Sequence, residues 1–125
     1  MSGERRYVVG RVEDLPPGAM KLVPVGKFGV GVYNVDGELY ALTNYCPHRG
    51  GPLCTGRVIG WAEPGDNPWE IRWTREGEIV RCPWHQWEFE IRTGSAIVYQ
   101  DTRRPYSIRM YPVVVEDGEI VLEGV

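Results

Sequence analysis

The sequence predicts an all-β fold. Sixteen glycines and ten prolines are spread through 125 residues and leave little room for a long helix. The β-branched and aromatic residues fall in short runs of strand length. Two Asp-Gly pairs, Asp36-Gly37 and Asp117-Gly118, each stand between two such runs, where a tight hairpin turn needs residues that tolerate positive φ.

Taken in order, strands are expected over 7–12, 21–25 and 29–35, and Asp36-Gly37 turns the chain into a return strand over 39–43. The stretch Gly26-Lys27-Phe28-Gly29-Val30-Gly31 is glycine-rich like a phosphate loop. It lacks that loop's spacing and a following helix, so it reads as a connection between strands. The segment 61–77 differs in kind, with Trp61, Trp69 and Trp73 set among Pro64, Gly65, Asp66, Asn67 and Pro68. It reads as a loop ending in a strand over 69–74, either holding itself against the body as a small local core or offering aromatic side chains to a partner. Further strands are expected over 78–81, 87–92, 97–100 and 107–115, and Asp117-Gly118 leads into 119–122. Glu88 and Glu90 alternate along one of these strands and are read as its solvated face.

A chain of this length is one domain, 1–125. With 42% hydrophobic and 25% charged residues it has the composition of an ordinary globular protein, and its purely aliphatic runs, such as 113–115, are no longer than three residues. No membrane span or signal-peptide pattern is expected, which points to the cytoplasm. Fourteen basic residues against seventeen acidic ones give a net charge of -3, so neither a nucleic acid nor a membrane surface is an expected partner. Three cysteines, an odd number, argue against a disulfide framework and for reduced thiols or metal ligands.

The only two histidines, His48 and His85, each follow a Cys-Pro pair: Cys46-Pro47-His48-Arg49-Gly50-Gly51 and Cys82-Pro83-Trp84-His85-Gln86-Trp87. Two thiolates and two imidazoles on loops beside strands make a four-ligand metal site. A structural zinc and a [2Fe-2S] cluster both take this donor set. Zinc fingers group their cysteines at one end and their histidines at the other, whereas here each loop supplies one of each, which suits two irons with different ligands.

At these residues the sequence resembles the Rieske [2Fe-2S] family, in particular its ferredoxins and the Rieske domains of ring-hydroxylating oxygenases. The likeness runs from Gly37-Glu38-Leu39-Tyr40-Ala41-Leu42 through Cys46-Pro47-His48-Arg49-Gly50-Gly51-Pro52-Leu53 to Cys82-Pro83-Trp84-His85-Gln86-Trp87-Glu88-Phe89. It implies antiparallel sheets carrying a smaller cluster-binding subdomain, about 44–90, with Cys46 and Cys82 on the inner iron and His48 and His85 on the outer one. The family spaces its two loops more closely, so 61–77 is expected to be an insertion. Gln86 stands where the family generally has glycine. Respiratory members carry one further cysteine in each loop, joined as a disulfide; those places here hold Gly51 and Trp84, which leaves Cys54 as a spare, partly buried thiol.

The resemblance also implies a function. The chain is expected to be a soluble one-electron carrier that takes electrons from a flavin reductase and passes them to a terminal oxygenase, with His48 or His85 as the exit and Arg49 meeting an acidic partner. The alternative is a permanent Rieske subunit of a multicomponent oxygenase or of a nitrite-reductase-like complex. No histidine remains for a mononuclear iron centre or a hydrolytic site, so the chain is not expected to be an enzyme by itself. High-potential members have a serine and a tyrosine two and four residues past the second histidine, where this chain has Trp87 and Phe89, which implies a low potential.

Overall fold

A computed structural model of the chain describes residues 6–47, 50–64, 66–67, 69, 71–84, 87–97 and 106–124. Among the described residues the strands are β1 (Arg6–Arg11), β2 (Met20–Val23), β3 (Val30–Val35), β4 (Glu38–Thr43), β5 (Arg57–Pro64), β6 (Ile71–Arg81), β7 (Glu88–Glu90), β8 (Met110–Tyr111), β9 (Val113–Glu116) and β10 (Glu119–Glu123). Single 3-10 turns lie at Val12–Asp14 and Leu53–Thr55. The strands form three antiparallel sheets, in the orders β1-β10-β9, β2-β3-β4-β8 and β5-β6-β7. The all-β expectation is borne out. No helix among the described residues is long and apolar enough to cross a membrane.

Both Asp-Gly pairs form the expected turns. Asp36 and Gly37 have φ of 51° and 94°, and Asp117 and Gly118 have 51° and 77°, so both central residues of each turn are left-handed, as a two-residue hairpin requires. Asn34 fixes the first turn in place: its Oδ1 accepts the Gly37 N–H at 2.7 Å, and its Nδ2 donates to the Leu15 carbonyl at 2.8 Å.

The β2-β3-β4-β8 sheet is the middle layer. Every residue of β3 is buried, because its two faces serve two different cores. Val30 and Val32 pack with Val9, Leu15, Val23, Ala41, Ile120 and Leu122 on the side of β1 and β10. Tyr33 and Val35 pack on the opposite side with Leu42, Leu53, Val80, Phe89 and Ile91, and that second core also contains Cys46, Cys54 and Cys82. The cysteine loops thus sit on the side where the middle sheet meets β5-β6-β7.

The largest departure from expectation lies in 57–81. The chain is a strand over Arg57–Pro64 where a loop was expected at 61–64, and the two strands expected at 69–74 and 78–81 are parts of one, β6. Pairing passes from Ile59↔Ile79 to Trp61↔Thr74, so residues 75–78 bulge out opposite Gly60. Gly77, with φ of 79°, reads in the sequence as a break between strands and serves as the glycine of this bulge.

Two smaller departures have simple causes. The strand expected at 107–115 is divided at Pro112, which has no N–H to give a ladder; β8 before it joins the middle sheet and β9 after it joins β10. In the run expected at 97–100, Ile97 is outside regular structure, its N–H donating to the Glu88 carbonyl at 2.9 Å, and 98–100 lie outside the described residues. Glu88 is not a solvated residue. Its Oε2 accepts from Arg81 Nη2 at 2.8 Å and Nε at 3.1 Å, across the β6–β7 pair in which the same two residues face each other.

Candidate metal centre

The first cysteine loop leaves the end of β4. Asn44 anchors both of its ends: its N–H donates to the Gly29 carbonyl at 2.9 Å, while its Oδ1 accepts the Cys54 N–H at 2.8 Å, beyond the loop. Between these anchors the Cys46 N–H donates to the Gly51 carbonyl at 2.8 Å, and the Gly50 N–H returns to the Cys46 carbonyl at 2.7 Å. Gly50 has φ of 78°, and a Cβ there would stand 3.1 Å from the Tyr45 ring, so the turn needs glycine for both conformation and space.

The second loop joins β6 to β7 and repeats the first closure. The Cys82 N–H donates to the Trp87 carbonyl at 2.7 Å, again five residues ahead. Arg81 and Glu88 clamp its base through both strand pairing and ion pair. Beyond the loop, Trp87 meets Tyr106 edge-on at 4.9 Å and lies 6.3 Å from Phe89.

Two glycines bring the loops together. A Cβ on Gly51 would lie 2.9 Å from the Trp84 indole and 3.1 Å from Cys82 Sγ. Gly56, where the first loop ends, packs directly on the Arg81 carbonyl, where the second begins. Cys46 and Cys82 are therefore the first residues of two pinned loops in mutual contact, each outside any disulfide and only 1% exposed. Two soft donors so placed fit one iron of a [2Fe-2S] cluster. Among the described residues no third potential ligand joins them. His48 and His85, with Arg49 and Gln86, lie outside the described residues.

Cys54 belongs to a different environment. Its thiol donates to the Leu42 carbonyl at 3.6 Å and lies against Gly31, where a Cβ would come within 2.6 Å of the sulfur. Burial pushes this thiol above the ordinary range, more than the neighbouring Tyr33 hydroxyl and Gly31 backbone pull it down.

Sequence reasoning identified the cysteine loops and missed the residues that position them. Asn44 and Gly56 carry no motif of their own. The one available signal was a polar residue directly after a strand and a glycine just ahead of the run Arg57-Val58-Ile59, which is too common to single them out.

Residues 5–112 match the Rieske [2Fe-2S] domain family. The chain is 29% identical over 112 residues to the ferredoxin component of the naphthalene 1,2-dioxygenase/salicylate 5-hydroxylase systems of a Ralstonia species, covering 90% of this chain and 88% of that one. Among solved structures it resembles the Sphingomonas yanoikuyae B1 ferredoxin, with a TM-score of 0.67, 27% identity, and coverage of 97% of this chain and 100% of that one. It shares its fold with a chain in the complex of reduced oxygenase and oxidised ferredoxin of carbazole 1,9a-dioxygenase, with a TM-score of 0.69, 24% identity, and coverage of 95% and 93%.

Proposed function

The chain belongs to the Rieske [2Fe-2S] domain family, and from that premise we propose that it is a one-electron carrier serving an oxygenase system. Its cofactor is the [2Fe-2S] cluster of the family. The observation that carries this is the pair of matched Cys-Pro loops, each closed from the cysteine N–H to the carbonyl five residues ahead and touching at Gly51. Cys46 and Cys82 hold one iron, and His48 and His85 complete the site on the other. When bound, the cluster supplies a one-electron store. The chain's own part is to bury the two thiols, hold both loops in register through Asn44, Arg81 and Glu88, and keep the redox edge at one end of the sheets.

The electron donor is a flavin-dependent reductase and the acceptor a terminal oxygenase, in keeping with the Ralstonia relative's place in dioxygenase systems. The whole chain, 1–125, acts as one soluble cytoplasmic domain without a substrate site of its own. Its cluster-binding part is about 44–90, and 61–77 is an elaboration upon it. A permanent oxygenase or nitrite-reductase-like subunit is the competing reading, and it draws on Trp69, which is 80% exposed near the tip of the β5–β6 hairpin. Size and partner analysis after native purification separates the two.

The test of the site is chemical. Protein made with adequate iron should be red-brown, contain about two irons and two acid-labile sulfides per chain, and give a Rieske-type paramagnetic resonance signal after reduction. Cys46→Ser and Cys82→Ser should lose the cluster, while Cys54→Ser should keep it. Stoichiometric zinc without visible absorption would overturn the assignment.

A further inference from the structure

A groove of about 520 Å³ opens beside the first cysteine loop, between the connection from β2 to β3 and the ends of β4 and β8. Its walls include Lys27, Phe28, Tyr45, Pro47, Arg109 and Tyr111, and among the described residues no carboxylate lines it. Gly26 and Gly29, with φ of 71° and 87°, let the connection turn sharply and set Lys27 and Phe28 along one side. The Phe28 and Tyr45 rings are 4.5 Å apart, and both remain substantially exposed, at 44% and 38%.

Two cations, Lys27 and Arg109, line the groove. Arg6, Arg11, Arg81 and Arg92 each meet a carboxylate, at 2.6, 3.0, 2.8 and 2.6 Å. Lys27 and Arg109 do not, among the described residues. Lys27 Nζ lies 5.5 Å from the Phe28 ring centre, and the Arg109 guanidinium lies 4.9 Å from that of Tyr111. A ring face orients a cation without neutralising it, so both charges stay available to an incoming anion. In a chain of net charge -3, this is a local cationic and aromatic surface.

We propose that this groove receives an acidic, aromatic-bearing segment of the protein that exchanges electrons with this chain. The inference rests on the carrier reading above, because the groove runs up to Pro47, next to His48, and a segment seated there would hold its own protein against the redox edge. Lys27 and Arg109 would take its carboxylates, while Phe28, Tyr45 and Tyr111 would pack its ring. Exposed aromatic residues beside unpaired cations are what a small transient interface uses for both grip and orientation.

The experiment titrates the cluster-loaded protein by calorimetry with the peptide acetyl-Gly-Asp-Glu-Phe-Glu-Asp-Gly-amide. The same peptide with Asn and Gln for its acids, and inorganic phosphate, serve as comparisons. The acidic peptide should bind saturably, with the amide peptide about tenfold weaker or worse. The double variant Lys27→Glu, Arg109→Glu should lose the acidic peptide by a similar factor with its cluster absorption and resonance signal unchanged. Absence of saturable binding, equal binding of both peptides, phosphate binding as tight as the acidic peptide, or a double variant that still binds would each overturn the groove. Loss of the cluster signal in the unaltered protein would instead overturn the carrier reading, so the two failures are distinguishable.

Discussion

The Trp84 indole lies against the Gly51 backbone, so close that a Cβ at position 51 would stand 2.9 Å from the ring. These two positions correspond to the places where the resembling respiratory proteins carry the cysteines of their inter-loop disulfide. Where those proteins tie the loops covalently, this chain rests a ring on a glycine, with Cys82 Sγ 3.1 Å from the same point.

That contact predicts how firmly the cluster is held. Gly51→Ala should push the loops apart, since the added carbon meets both the ring and the Cys82 sulfur within ordinary contact distance. Trp84→Ala should leave the loops less constrained. Its effect on global stability should stay below about 3 kcal/mol, because the side chain is 55% exposed and forfeits less than a fully buried tryptophan. Both variants should bleach faster than the parent in the presence of a chelator, by about tenfold for Gly51→Ala, and Trp84→Phe should fall between. Equal bleaching rates would show that the contact does not hold the cluster.

A second prediction concerns midpoint potential. The positions that carry hydroxyl donors in high-potential relatives are Trp87 and Phe89, and here these rings form an aromatic group with Tyr106. Neither side chain can donate an O–H to sulfur. A hydrogen bond to a charged acceptor contributes about 1.5 to 3 kcal/mol, and each one missing lowers a one-electron potential by about 65 to 130 mV if it acts wholly on the reduced state. The protein should therefore lie toward the lower end of the range of about -150 to +300 mV. Voltammetry at neutral pH checks this, and a midpoint above about +100 mV contradicts it.

The third prediction is a pH dependence. Burial raises the Cys54 thiol above its ordinary value, so the folded protein keeps it protonated at pH values where the unfolded chain ionises it. The associated stability is complete below the unfolded value, about 8.5, and is lost as pH rises from there toward the folded value. The thermal midpoint of the parent should fall on going from about pH 7.5 to about pH 9.5. Cys54→Ala should begin lower, through loss of core packing, and fall less over the same interval. Parallel slopes would mean that Cys54 ionises equally easily in both states.

What was legible in the sequence was local. Asp36-Gly37 and Asp117-Gly118 declare their turns because few other residue pairs tolerate two successive left-handed positions. The cysteine loops were visible because each motif is contiguous. Gly77 was misread because a glycine inside a strand pattern signals a bulge or a break equally well, and only the partner strand decides between them. The Gly51–Trp84 and Gly56–Arg81 contacts were invisible for a related reason. Each joins residues far apart in sequence, and the requirement for glycine comes wholly from what the fold brings opposite. Glu88 looked solvent-facing from alternation alone until Arg81 was found across the pair.

The bulge at Gly60 divides the β5–β6 hairpin into two arms with separate registers. On the near side, Arg57↔Arg81 and Val58↔Val80 fix where Cys82 emerges; on the far side, Trp61↔Thr74 to Pro64↔Ile71 pair independently of it. Because four residues already face one at the junction, added or removed residues beyond it have no reason to slide Val80 off its core face. Chain length in the far arm is thus expected to be changeable without moving Cys82. For the same reason that arm is the natural point at which to splice a reporter or affinity tag into a working electron carrier.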